Sequence, residues 1–141
     1  MPVEPHDHSD HRNHVNVWMQ QAGEGLSSDQ LLDLFEQAMR RLWNQASLTL
    51  GDITLIAVVD RVLFYAAERF PPFESIKVEP PGIDCRELRK NQDFGDDREL
   101  EDAIKFVLIE FLIVVGNLTA GILSPALHAE LSKVKLKREG Q

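Results

Sequence analysis

Residues 97–123, DRELEDAIKFVLIEFLIVVGNLTAGIL, are the longest and most apolar stretch of the chain. Placed on a helix of 3.6 residues per turn, Leu100, Ile104, Val107, Phe111, Val114, Leu118 and Ile122 follow a three-and-four spacing and form one continuous seam. Phe106, Ile109, Ile113, Gly116 and Ala120 form a second apolar stripe, which a helix lying on a monomer's surface has no reason to carry. The stretch therefore reads as a helix buried on two sides. Thin polar lines separate the stripes, one through Glu110 and Asn117, the other through Lys105 and Thr119, so Glu110 and Asn117 are expected as buried polar groups.

A membrane span is the competing reading of the run from Phe106 to Leu123, since a bilayer crossing needs about 20 apolar residues. Glu110 near the middle of that run argues against it, because an acid at mid-bilayer is costly. The acidic flank from Asp93 to Asp102 also lacks the basic anchor usual at a span's cytoplasmic end.

The chain of 141 residues fits one domain with a real core and carries a formal charge of −8. That balance disfavours nucleic acid as a partner, because affinity for phosphates comes from neutralising them with Lys and Arg. The basic cluster Lys133, Lys135, Lys137 and Arg138 reads as a solvated helix end, well placed at the negative pole of the helix dipole. Cys85 is the sole cysteine, which excludes an intrachain disulfide and a thiolate-rich metal site. No apolar signal segment opens the chain, and cytoplasmic residence is the default expectation.

Outward from the central stretch, residues 1–25 read as a disordered leader and residues 26–141 as a single helical domain. The leader carries His6, His8, His11 and His14 interleaved with Asp7 and Asp10, followed by an apolar knot of Val15, Val17, Trp18 and Met19. Imidazole with carboxylate suits Ni, Cu or Zn, so these histidines are a weak candidate site for a divalent transition metal; a merely soluble leader explains the same composition. Ser27-Ser28-Asp29-Gln30 fits a capping box that opens a helix through Leu31, Phe35, Ala38, Met39, Leu42 and Trp43 to about Ala46. A second helix runs from Gly51-Asp52 to Phe70, where Pro71-Pro72 stop it. Its apolar face is read as Ile53, Ile56, Ala57, Leu63, Phe64 and Ala67, with Asp60 embedded among them and expected to be buried and paired.

From Glu74 to Leu88 the period changes to alternation. Ile76 and Val78 face one way, Pro80-Pro81-Gly82 turn the chain, and Ile83, Cys85 and Leu88 return as a second strand. Asp96 and Glu99 cap the central helix, Gly116-Asn117 resemble its stop, and Ser124-Pro125 restart a last helix with Leu127, Leu131 and Val134 on its dry face. The fold class is mainly α: a bundle of four to five helices around the central apolar helix, with a short hairpin or extended arm between helices two and three.

The chemical motifs fail on their partners. His128-Ala129-Glu130 matches the H-x-E of zinc deaminases but has no P-C-x-x-C companion. Asp93-Phe94-Gly95 stands without the glycine-rich loop, strand lysine and H-R-D segment of a kinase. Glu110 is followed three residues later by Ile113, so the Glu-x-x-His pattern of two-metal bundles is missing. His128 on a helical bundle also suits a histidine phosphotransfer protein, although an additional alanine breaks the His-Glu-Leu run of sensor-kinase helices. No catalytic set assembles. The expectation is a nonenzymatic protein–protein interaction module, an adaptor or regulator that forms a homodimer through Phe106, Ile109, Ile113, Gly116 and Ala120, with metal handling by the leader as the alternative.

Overall fold

The computed structural model of the chain describes residues 9–91 and 96–136. Helix α2 (Ser28–Arg69) opens with the expected capping box: Gln30 N–H donates to Ser27 Oγ at 3.3 Å, and Ser27 N–H donates to the Gln30 side chain at 2.9 Å. The helix then folds back on itself. Gly51 has φ 78° and ψ 161°, a backbone region that side-chain-bearing residues avoid, and it divides α2 into arms 28–50 and 52–69. A straight helix of 42 residues would span about 63 Å, yet the ring of Phe35 in the first arm lies 5.8 Å from that of Phe73 just beyond the second. Trp43 Nε1–H reaches across the reversal to Asp52 Oδ1 at 2.8 Å. The two expected helices are thus the arms of one hairpin.

The second arm is rotated from its expected phase. Leu55, Val58, Val59, Val62, Leu63 and Ala66 face the core, whereas Ile53, Ile56, Ala57 and Phe64 face solvent. Asp60 is therefore exposed rather than buried and paired. Both sides of this arm are apolar, and the side free of charge is the one that packs, because burying Asp60 without a partner would be costly.

Phe70 leaves the helix with extended backbone ahead of Pro71 and leads into a 3-10 turn, Pro71–Ser75. Strands β1 (Lys77–Glu79) and β2 (Gly82–Asp84) pair antiparallel with Val78 opposite Ile83. Leu88 does not continue the second strand; it is buried on a short helix, α3 (Arg86–Asn91).

Helix α4 (Asp97–Leu118) is capped by Asp96, whose side chain accepts the Glu99 N–H at 2.8 Å. Leu100, Ala103, Ile104, Val107, Leu108, Phe111, Leu112 and Val115 are buried, which makes it the central helix of the bundle. The apolar seam is not buried to its end: Val114 is half-buried, and Leu118 and Ile122 are exposed. The helix stops between them in a Schellman arrangement, with Gly121 N–H on the Gly116 carbonyl at 2.8 Å and Ala120 N–H on the Asn117 carbonyl at 3.5 Å. Ala120 takes the left-handed position of this cap, φ 53°, so it leaves the helix face on which spacing had placed it. The polar line beside it is drier at Glu110, which is half-buried, than at Asn117, which is exposed; neither is fully buried, because the line runs along the open edge between the two covered sides.

The second covered side belongs to α1 (Ser9–Ala22), which occupies a segment expected to be disordered. His11, Val15, Trp18 and Met19 recur at helical spacing and are all buried, while Val17 points outward. His11 lies against Gly116 and Met19 beside Glu101 and Lys105, so α1 runs antiparallel to α4. The histidines and aspartate suggested a wholly solvated tail, but one dry face every three to four residues suffices to dock a short helix. Helix α5 (Ser124–Ser132) follows Pro125 at its first turn; Leu123, not Ser124, is its cap residue, and Leu127, Leu131 and Val134 are buried as expected. Among the described residues no helix is long and apolar enough to cross a membrane.

Gly51→Ala should destabilise the chain by about 1–3 kcal/mol through backbone strain alone, since no atom lies within 4 Å of the added Cβ. Ala120→Gly should do the reverse, raising stability by about 0.5–1 kcal/mol by relieving a left-handed alanine. Urea midpoints of the two variants against wild type measure both.

Candidate functional site

Two surfaces and one staple stand out; Val17, Leu48, Leu118 and Ile122 are exposed apolar side chains outside them. The first is a histidine cluster where α1 crosses α5. His11 Nδ1 and His128 Nε2 are 2.9 Å apart, and their rings meet edge to face. His14 stacks on His128 with centroids 4.4 Å apart and planes inclined by 13°. Its Nε2 lies 2.9 Å from the His128 carbonyl, which only accepts, so this nitrogen carries the proton. The same nitrogen is 3.1 Å from Ser132 Oγ, whose own hydroxyl bonds the His128 carbonyl at 3.0 Å. His14 is consequently not placed to take a proton from Ser132.

His128 is held below the ordinary histidine range, first by burial and then by the neighbouring rings of His14 and His11; Asp10, with Oδ2 4.0 Å from Nδ1, pulls the other way. Among the described residues no group of three or more His, Cys, Asp or Glu side chains is arranged to hold an ion, and the stacked rings of His14 and His128 point their nitrogens in parallel planes. His6 and His8 lie outside the described residues. A phosphoacceptor histidine needs an open ring nitrogen, and at His128 one is engaged by His11 while the other faces Asp10.

The second surface is the outward side of arm 52–69. Ile53 is 86% exposed, Phe64 63% and Ile56 40%; Ala57 and Asp60 are exposed between them. At 100° per residue Ile53, Ala57, Asp60, Phe64 and Ala67 share one narrow line, directly opposite the packed residues of the same arm. Arg61 stands on its flank, bonded to Tyr65 Oη at 2.9 Å with its guanidinium over that ring.

The staple fastens the hairpin to α2. Glu36 accepts the Cys85 N–H at 3.0 Å and pairs with Arg89 at 3.0 Å, and Arg89 also bonds Asp33. Burial pushes the Cys85 thiol up, with the Glu36 charge adding to it, so the sulfur is held as an inert thiol.

The expected interface residues are not presented together. Phe106 is covered by the Arg69 guanidinium, 5.0 Å from its centroid, and by Phe70 at 6.0 Å. Ile109 and Ile113 are half-buried, Gly116 is buried beneath His11, and Ala120 sits in the helix cap. Sequence reasoning named the residues of the outward stripe but assigned them to the core; the distinguishing signal was Asp60, which interrupts that side and not the other. It missed the pairing of His128 with His11 and His14, which are more than one hundred residues away and share no local pattern with it.

The fold and these surfaces define a small helical bundle with an unpartnered apolar face. No protein-family model, curated protein or solved structure matches the chain.

Glu36→Ala removes the acceptor of the Cys85 amide and a partner of Arg89, and should cost about 1–3 kcal/mol. Thermal melts give the loss, and amide exchange of residues 77–91 shows whether it is localised there.

Proposed function

We propose that this chain is a nonenzymatic interaction module that pairs with a second copy of itself through the outward face of arm 52–69. The observation that carries the reading is the line Ile53, Ala57, Asp60, Phe64, flanked by Ile56, exposed along a helix whose opposite side is already packed. The exposed line is self-complementary. Laid antiparallel across a two-fold axis near Asp60, it sets Asp60 beside Arg61 of the second copy and Phe64 over the second copy's Ala57, and symmetry repeats each contact. Closed two-fold pairing needs one patch to serve both subunits, and a helix with opposite charges at the centre of an apolar line meets that need.

Burying Ile53, Ile56 and Phe64 from two copies contributes about 1.5–3 kcal/mol per side chain when burial is complete. Association itself costs about 4–15 kcal/mol, so the dimer is expected to be weak, with a dissociation constant on the order of 10–100 micromolar. Regulation by a reversible dimer, rather than a permanent assembly, follows from that balance. The chemistry of the remaining groups supports a role without catalysis: the cluster imidazoles are spent on one another and the thiol is buried.

Sedimentation equilibrium across that concentration range should show a monomer–dimer exchange in the wild type. Phe64→Asp should be monomeric with an unchanged circular dichroism spectrum, and Asp60→Arg should weaken the dimer by placing like charges at the axis. A wild type that stays monomeric, or a Phe64→Asp chain that still dimerises, would overturn the proposal.

A further inference from the structure

Helix α1 is held differently at its two ends. Toward its C-terminal end, Val15, Trp18 and Met19 are buried and Trp18 donates its Nε1–H to the Val134 carbonyl at 2.9 Å. At the other end the contacts to α5 are made by imidazoles: His11 to His128, and His14 to the His128 carbonyl and Ser132. We infer that α1 is a proton-released cover: protonation of both rings of the His11–His128 pair frees the N-terminal half of α1 and uncovers the α4 face around Gly116.

The bonding pattern requires at least one neutral ring in the His11–His128 pair. His11 Nδ1 and His128 Nε2, at 2.9 Å, have room for one proton between them, so one nitrogen must offer a lone pair. With both rings protonated two N–H groups face each other at that distance. Among the described residues the charged groups around the cluster do little to offset this. Asp10 on α1 is 4.0 Å from His128 Nδ1 and its side chain is 80% exposed, so water screens it. On α5, Glu130 is already paired with Lys133 and with Arg41 of α2. The α4 surface against His11 is Gly116, which has no side chain; Lys105 and Glu101, the charged groups beside α1 on α4, lie three and four turns away.

The direction with pH follows. In the folded chain His128 is held below the ordinary value of 6.5 by burial and by the adjacent rings, so the fold favours its neutral form. The stabilisation is complete above the ordinary value and is lost as pH falls from there through the folded one. Only α1 should respond first, because the core between the α2 arms and α4 contains no member of this cluster. The Trp18 anchor makes the response a release at the histidine end rather than loss of the whole helix.

Hydrogen exchange followed by mass spectrometry on the full chain, from about pH 7.5 to about pH 5.5 and corrected for intrinsic rates, tests the inference across the histidine range. Residues 9–16 should lose protection relative to residues 28–69 by roughly tenfold for each unit by which the folded and unfolded values of the cluster differ. His128→Gln keeps a group that can hydrogen-bond His11 but takes no proton, and should flatten the response while leaving α1 protected at neutral pH. Protection of residues 9–16 that is constant with pH, that falls only in step with residues 28–69, or that responds equally in His128→Gln would overturn it. Should that variant not fold, the wild-type comparison of the two segments decides alone.

Discussion

A single backbone conformation, that of Gly51, sets the arrangement on which the remaining packing depends. With φ positive and ψ near extended, it turns one long helix into two arms that lie against each other. From that reversal follow the Trp43–Asp52 bond across the turn and the stacking of Phe35 on Phe73 at the far end of the second arm. A residue with a side chain meets steric resistance in this region of φ/ψ space, so the turn is written into the chain as a glycine rather than as a loop. The connection is consequently very short, and the two arms are held in near-constant relation.

The arms supply one wall for α4 and α1 supplies another. A helix as apolar as α4 cannot lie with one side in water, and the cover comes from the segment that looks least suited to it, a histidine-rich stretch at the beginning of the chain. Four positions, His11, Val15, Trp18 and Met19, carry the docking, with His14 half-buried beside them; Arg12, Asn13 and Asn16 stay in solvent. At one end His11 lies over Gly116, where even a methyl group would stand at ordinary contact distance, 3.4 Å from Ser124 Oγ and 3.5 Å from His11 Nε2. Exposed apolar side chains remain on the second arm of α2, at Ile53, Ile56 and Phe64, and beyond the covered part of α4, at Leu118 and Ile122.

Polar groups at the two remaining junctions work in contrasting ways. The hairpin is fastened by a carboxylate, Glu36, that satisfies a backbone amide and a guanidinium together. The α1–α5 junction is fastened instead by imidazoles, bonded to one another, to the His128 carbonyl and to Ser132 Oγ.

Taken by itself, the sequence determined the elements. The capping box at Ser27, the stop before Pro71, the hairpin around Pro80-Pro81, the Asp96 cap and the burial of α4 on two sides are all local in origin: each depends on neighbouring residues or on one helix's periodicity, and each is present in the structure. Tertiary structure decided what periodicity leaves degenerate. Arm 52–69 has two apolar sides, and the choice between them rests on which one meets Phe35, Phe73 and α4 after the turn at Gly51, so Asp60 and Phe64 went to solvent. The docking of α1 depends on a partner face nearly one hundred residues away, and the histidine cluster joins His11 and His14 to a ring 117 and 114 residues distant. Local spacing carries no information about such pairs, because they are brought together by the burial of apolar faces, a force without direction or register of its own.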